Sequence, residues 1–456
     1  MLLISSSYNT VLLSVLVMTL VLAGYTNNNY YHFFAPVYAK IARSRGGINV
    51  HDPNLKAEAV ATGLRFPTTM AFLGPNDILV NEKNNGTVQR IIDGKIQPQP
   101  VLDVSVANKV ERGMIGIAVA KPIATNNNNN NGNKSSPTTT YVFVSYTETK
   151  VEGSDICPKP SNCLPGHDPI GNRLYRYELV NNKLVNPKLL LDVAAVPGPG
   201  HNGQKILIGL DDNIYITVGD VGYKSQTENF PNNPDTNGTG GILRITQDGK
   251  PVGTGIIGDR FPLNLYYAYG IRNSLGIDFD PVTGNLWDTE NGDNCCDEIN
   301  LVKPGFNSGW RQVQGFWEVN GSTYGKLVQN PTNLVDFGGK GKYSPPKFTW
   351  LNTTGPTAIK FLDSDKLGKQ YQNDIFVADF HGGNIYHFKL NQNRTDLVLN
   401  GTLADKIVNN PQELEGIKFV EGMGAITDLQ VSPYDGYLYA VSYSQGKIYR
   451  IVPEAK

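Results

Sequence analysis

The feature that most limits what this chain can fold into is one phrase of sequence repeated six times. Each copy opens with a strand of alternating apolar residues that often ends in a turn rich in Asp, Pro and Gly. A strongly apolar strand follows, then a strand carrying an aromatic or basic residue. The copies lie at 69–73, 77–80 and 88–91; 115–119, 141–144 and 174–177; 205–208, 214–217 and 242–245; 275–279, 285–287 and 298–301; 358–361, 374–377 and 385–388; and 427–431, 436–439 and 447–450. Alternation with a period of two marks strands with distinct faces. A unit of three such strands plus a more variable fourth cannot bury its faces alone, so the copies must stack around an axis. The expected fold is all-β: a six-bladed β-propeller of four-stranded antiparallel blades. A pair of β-sandwiches would also supply many short strands, but it lacks the recurring phrase of first strand, turn and second strand.

Composition agrees. Of 456 residues, 48 are Gly, 28 Pro and 23 Tyr, which suits short strands joined by tight turns. A formal net charge of -1 gives no basic face for nucleic acid or an anionic membrane, so neither is expected as a partner. Six copies over roughly 400 residues leave room for insertions. The two largest are the Asn-rich stretch 125–140, which cannot build a core, and 150–172, which holds Cys157 and Cys163.

The organisation divides at about residue 55. Residues 1–55 read as a signal peptide or N-terminal membrane anchor plus linker, and 56–456 as the propeller. Val11 to Ala23 is apolar except for Ser14 and Thr19, which is short for a spanning helix and suits a signal-peptide core. Because Met1 to Thr10 contains no Lys or Arg and Met1 to Ile4 can lengthen the apolar run, cleavage and anchoring both stand open. Either way the remainder is expected outside the cell, secreted or held on the outer face of the cytoplasmic membrane. Asn-X-Ser/Thr at Asn85, Asn133, Asn237, Asn320, Asn352, Asn393 and Asn400 agrees with export. So does the close spacing of Cys157 and Cys163, which suits a small disulfide loop.

Propellers bind ligands at one mouth of the channel, so the residues just before each innermost strand carry the chemistry. Before the third copy stands Pro199-Gly200-His201-Asn202-Gly203. A neutral imidazole there can act as general base for a hydroxyl or bound water; the other reading is a loop histidine making a structural hydrogen bond. Before the fourth copy stands Tyr269-Gly270-Ile271-Arg272-Asn273, whose Arg-Asn pair suits a carboxylate or quinone oxygen, or else an acid on a neighbouring blade. The run from Glu290 to Glu298 is rich in oxygen ligands around Gly292 and favours a hard cation such as calcium, without EF-hand spacing; a solvated acidic loop is the alternative. Glu111, before the second copy, is either a channel-facing carboxylate or a surface partner of Arg112 or Lys109.

Taken together, Glu111-Arg112-Gly113-Met114-Ile115-Gly116, His201, Gly270-Ile271-Arg272-Asn273, and Glu290-Asn291-Gly292 through Asp297-Glu298-Ile299-Asn300 resemble, in order, the phrases of the soluble quinone-dependent aldose (glucose/sorbosone) dehydrogenases. The similarity runs from about Ala59 to Val452. It implies a six-bladed propeller binding pyrroloquinoline quinone (PQQ) and calcium at one mouth. It further implies His201 as the base for the anomeric hydroxyl, Arg272 beside the reacting centre and Asn273 as a cofactor-binding neighbour. Asn291, Gly292 and Asp293 match the stretch whose backbone oxygens face calcium, with Gly292 and Asp293 as the metal positions.

The chain also departs from that pattern. Glu111 stands where the family often has Gln. A cofactor-clamping Lys is replaced by His381, and the Arg-X-Arg-Asp before the sixth inner strand becomes Ala425-Ile426-Thr427-Asp428. Each lost charge-assisted pair is worth roughly 1.5–3 kcal/mol, unless His381, Lys360 or another cation compensates. Cys295 and Cys296 replace residues of the calcium loop; they can form a vicinal disulfide, but a structural pair or a bond elsewhere in the chain is the reading preferred here. The expected activity is oxidation of an aldose to its lactone with hydride transfer to PQQ and onward to an electron acceptor. The alternatives are a calcium-dependent lactonase-like hydrolase, with His201 or Glu111 activating water, and a non-catalytic exported propeller that binds sugar or protein.

Overall fold

The computed structural model describes residues 47–120, 139–150, 168–321 and 323–454. The N-terminal apolar run, the Asn-rich insertion, Cys157 and Cys163 lie outside the described residues. Among those described, no helix is long and apolar enough to cross a membrane.

The chain is all-β, and each segment read from the repeat falls on a strand. The first strands of six sheets are Pro67–Gly74, Met114–Val119, Ile206–Ile208, Ser274–Phe279, Pro356–Phe361 and Ile426–Val431. Each pairs antiparallel with the next strand in sequence, as Ser274↔Glu290 and Pro356↔Asp379 show. Four sheets exceed the four strands expected. The third, for example, adds Phe306–Asn307 and Lys342–Tyr343 in parallel, and the fifth gains Asn49–Val50 on its outer edge.

Packing follows the chain. The first sheet shares an apolar layer with the second (Leu79, Val88 against Val142, Val144), and the second with the third (Phe143, Leu174 against Ile214, Ile216). The layer continues between third and fourth (Tyr215, Ile242 against Ile277, Leu286) and between fourth and fifth (Trp287, Phe348 against Ile375, Val377). Fifth meets sixth through Phe376 and Leu429, and sixth returns to first through Tyr439 and Ile78. Burying one such side chain is worth about 1.5–3 kcal/mol. The first strands touch in the same order, with Ile426–Val431 against Pro67–Gly74. Hydrogen bonds make a second closure that the repeat did not reveal: Leu55–Thr62 pairs antiparallel with Lys447–Pro453, so the sixth sheet takes its outer strand from the start of the chain.

Strand Leu286–Glu290 is buried at all five positions because sheets cover both its faces. Its interior therefore contains carboxylates. Burial first, and then the Glu298 charge, push Asp288 up to about 8. Glu298 is raised to about 7 by burial, and Glu290 well above its ordinary value by burial and by both of those neighbours.

Candidate functional site

The starts of the first strands and the ends of the second strands lie at one end of the sheets, as the pairings Met114↔Tyr146 and Ile426↔Ser442 require. The predicted site residues come from loops at this end. His201 has φ +56°, a left-handed conformation that is uncommon outside glycine. Gly219 faces it closely: a Cβ there would lie 2.1 Å from the His201 carbonyl oxygen. Only a residue without a Cβ permits that approach at position 219.

Two carboxylates hold His201. The His201 N–H donates to Glu111 Oε2 at 2.7 Å, and its Nδ1 meets Asp220 Oδ1 at 2.7 Å. Asp220 is buried and takes two further donors, Gly222 N–H on Oδ1 at 2.9 Å and Trp310 Nε1–H on Oδ2 at 2.7 Å. Burial pushes the Asp220 carboxyl up, but the His201 ring, Arg272 and the Gly222 amide outweigh it and hold it below the usual carboxylate range. The His201 side chain is 22% exposed. No hydrogen bond among the described residues engages its Nε2, so that nitrogen is the edge available to a ligand.

Glu111 is not a partner of Arg112. Its Oε2 also accepts from Asn273 Nδ2 at 3.0 Å, while Arg112 turns to the carbonyls of Ala195 and Gly198. It thereby ties the second, third and fourth sheets together beneath the loops.

Arg272 is placed by its own main chain, whose N–H donates to Glu290 Oε1 at 2.7 Å. Its Nη1 donates to the carbonyl oxygens of Asn291 (3.0 Å) and Gly292 (2.6 Å), and its Nη2 pairs with Asp293 at 3.2 Å. These are the backbone oxygens that the family resemblance assigns to calcium. A guanidinium already occupies the face on which they converge, so this arrangement does not fit a divalent ion at Gly292 and Asp293. The run is not a solvated acidic loop either. Asp297 is buried and accepts from the N–H groups of Gly292, Thr354 and Gly355, with burial raising its carboxyl despite those donors. Cys295 and Cys296 are bonded to each other, contrary to the preference for a partner elsewhere, because the turn brings adjacent side chains to the same buried side.

Three polar atoms in this cluster are buried without a partner among the described residues: Arg272 Nε, Asn273 Oδ1 and Asn291 Oδ1. One donor and two acceptors left in this way invite a polar ligand. PQQ, with quinone and carboxylate oxygens, fits Arg272 Nε–H, and His381 is exposed beside Gly355, its charge bearing on Asp297. The cation clamp is weaker than the resemblance implies. The Thr427 hydroxyl donates to the Pro67 carbonyl at 3.0 Å, and Lys360 is paired with Asp278 at 3.0 Å.

The sequence reading missed Asp220 and Trp310. Asp220 follows the second strand of its sheet at the place that Glu290 approaches in the next, and that positional echo is the signal that would have found it.

An all-β chain that gathers an imidazole, a buried carboxylate and an arginine at the loop end of its sheets is built as a ligand-binding or enzymatic scaffold. This chain belongs to the glucose/sorbosone dehydrogenase family, a family of sugar oxidoreductases, whose sequence model matches residues 64–450. It is similar to quinoprotein glucose dehydrogenase B of Acinetobacter calcoaceticus, 27% identical over 294 residues covering 59% of this chain and 55% of that protein. It is also similar to aldose sugar dehydrogenase YliI of Escherichia coli, 23% identical over 255 residues covering 56% and 60% respectively. The chain thus matches less than two thirds of the length of either relative. In three dimensions it resembles the PQQ-bound form of the aldose sugar dehydrogenase from Streptomyces coelicolor, with a TM-score of 0.60 at 21% identity, covering 90% of this chain and 98% of that one.

Proposed function

We propose that this protein is a PQQ-dependent aldose dehydrogenase on a six-bladed propeller, oxidising the anomeric hydroxyl of a sugar to the lactone. The observation that carries the reading is the His201–Asp220 pair, with Nε2 of His201 left open beside Arg272 and Asn273. The closed order of contacts among the six first strands supports the blade count.

His201 Nε2 takes the hydroxyl proton, and Asp220 on Nδ1 holds the ring in the tautomer that leaves Nε2 as acceptor and steadies the imidazolium that forms. Arg272 presents Nε–H to negative charge developing on a ligand oxygen. Asn273 and Asn291 present amide oxygens to hydroxyl donors, and Glu111 keeps the His201 backbone and Asn273 in register. When bound, PQQ, held by Arg272, Asn273, Asn291 and His381, would supply the two-electron acceptor for the anomeric hydride, and an external acceptor would then reoxidise it. The apolar run at Val11 to Ala23 and the exposed acceptors Asn320, Asn352, Asn393 and Asn400 support an extracytoplasmic setting.

A lactonase-like hydrolase, in which His201 activates water, is the second reading. It is favoured by Thr427 and Lys360 being spent inside the protein, because hydrolysis needs no clamp for an anionic cofactor.

The test pairs calorimetric titration of the purified protein with PQQ against turnover of aldoses with an artificial acceptor. His201→Asn keeps a residue that tolerates positive φ and is expected to lower turnover at least about 100-fold with little change in unfolding midpoint. Absence of PQQ binding together with hydrolysis of lactones would replace the first reading by the second. Unchanged turnover in the Asn variant would remove His201 from both.

A further inference from the structure

We infer that Trp310 is a positioning residue that locks the His201–Asp220 pair and Arg272 into one unit; the inference rests on reading His201 as the base. Trp310 is 3% exposed and comes from a loop outside the six first strands. Its main chain is pinned to the run that carries Arg272: Trp310 N–H donates to the Gly270 carbonyl at 2.9 Å, and the Trp310 carbonyl accepts from Asn229 Nδ2 at 2.7 Å. Its indole N–H donates to Asp220 Oδ2 at 2.7 Å, while Oδ1 is filled by His201 Nδ1 and the Gly222 amide. The guanidinium of Arg272 lies 5.4 Å from the centre of the Trp310 ring, and that of Arg311 lies at 5.4 Å as well. One side chain therefore meets the partner of the base through its edge and two arginines through its ring.

Each contact removes a freedom that the site would otherwise keep. The terminal torsion of an aspartate is broad, so with His201 and Gly222 both on Oδ1 only the indole N–H fixes Oδ2. A guanidinium near an indole in a dry setting is attracted to it, which steadies Arg272 while its Nε stays unpaired. The charged groups that bear on His201 are Asp220 at its ring and Glu111 at its N–H, with Arg272 acting on it through Asp220. Removing the indole N–H frees Oδ2, so Asp220 can turn about its terminal torsion and no longer enforces the Nδ1-protonated tautomer. Less of the ring then presents Nε2 as the acceptor.

Trp310→Phe separates the two roles, since it keeps an aromatic ring beside Arg272 and removes only the donor. The expected result is a fall in kcat between about 10- and 100-fold, the range for outer partners of a functional imidazole, with KM nearly unchanged. The readout that does not depend on turnover is the NMR spectrum of protein labelled with 15N at histidine, tractable with six histidines in the chain. The Nδ1-protonated form of His201 is expected to dominate in the parent protein and to give way to mixed tautomers in Trp310→Phe. An unaltered kcat and tautomer in Trp310→Phe, with turnover lost in His201→Asn, would overturn the role of Trp310 and leave the base in place. Retained turnover in His201→Asn would overturn the base instead. Should Trp310→Phe not fold, the parent protein decides through its indole resonances, with four tryptophans to assign. A Trp310 N–H shift that follows the protonation of His201 supports the link, and one that does not change with pH overturns it.

Discussion

Glu111 grips His201 by the backbone and not by the ring. Its Oε2 accepts the His201 N–H at 2.7 Å, and the same oxygen takes the Asn273 amide at 3.0 Å. The two residues are 90 positions apart and belong to the loops ahead of the second and third first strands, so one oxygen atom sets how those loops meet. Glu111→Gln keeps an acceptor in place and is expected to stay within about 10-fold of the parent turnover. Glu111→Ala leaves two donors unpaired, at about 1–3 kcal/mol for each buried group, and is expected to lose about 100-fold. Steady-state kinetics on the two variants check this; equal losses would mean that the charge matters and the geometry does not.

The buried carboxylates of the fourth sheet make stability fall with rising pH. Asp288 is pushed up to about 8 in the folded protein, against an ordinary value of 3.8, by burial and then by the Glu298 charge. Below about pH 4 both folded and unfolded chains carry the proton. Between there and about pH 8 only the folded chain keeps it, so folding becomes steadily less favourable. Asp288→Asn removes this dependence. The two proteins are expected to unfold alike below about pH 4, with the Asn variant several degrees more stable at pH 8. Thermal unfolding across that range is the measurement, and parallel curves would show that Asp288 is ionised in the fold.

A third prediction concerns the interior. Asp428, in the sixth first strand, is paired with Lys205 at the start of the third, and its Oδ2 accepts the Met70 N–H at 2.9 Å. The pair therefore links sheets that are not neighbours in chain order, and both side chains are buried. Asp428→Ala strands a buried ammonium and is expected to cost about 3–5 kcal/mol, whereas the double variant Lys205→Met, Asp428→Leu is expected to recover much of that loss. Denaturant unfolding of the single and double variants measures the coupling; additive losses would show that the pair acts as two separate residues.

The all-β class, the strand positions and the family were legible in the order of residues alone. The reason is local: alternation of apolar side chains specifies a strand wherever it occurs, and glycine and proline mark where it must turn. The same local logic put His201, Arg272 and Asn273 just ahead of first strands. What each of them does there was not legible, because partners come from other sheets. Arg272 reads as a free cation next to an oxygen-rich run, yet the fold turns its Nη atoms onto the carbonyls of Asn291 and Gly292, where a metal was expected. Thr427 reads as the remnant of a clamp, yet its hydroxyl closes on Pro67 from the far end of the chain. Asp220 and Trp310, 90 residues apart, have no shared pattern that could announce their pairing and meet only in the folded chain. The sequence by itself determined which segments are strands and where the loops with chemistry fall. The tertiary structure alone decided which polar atoms are already spent and which remain open, because a hydrogen bond between distant residues leaves no trace in the spacing of either.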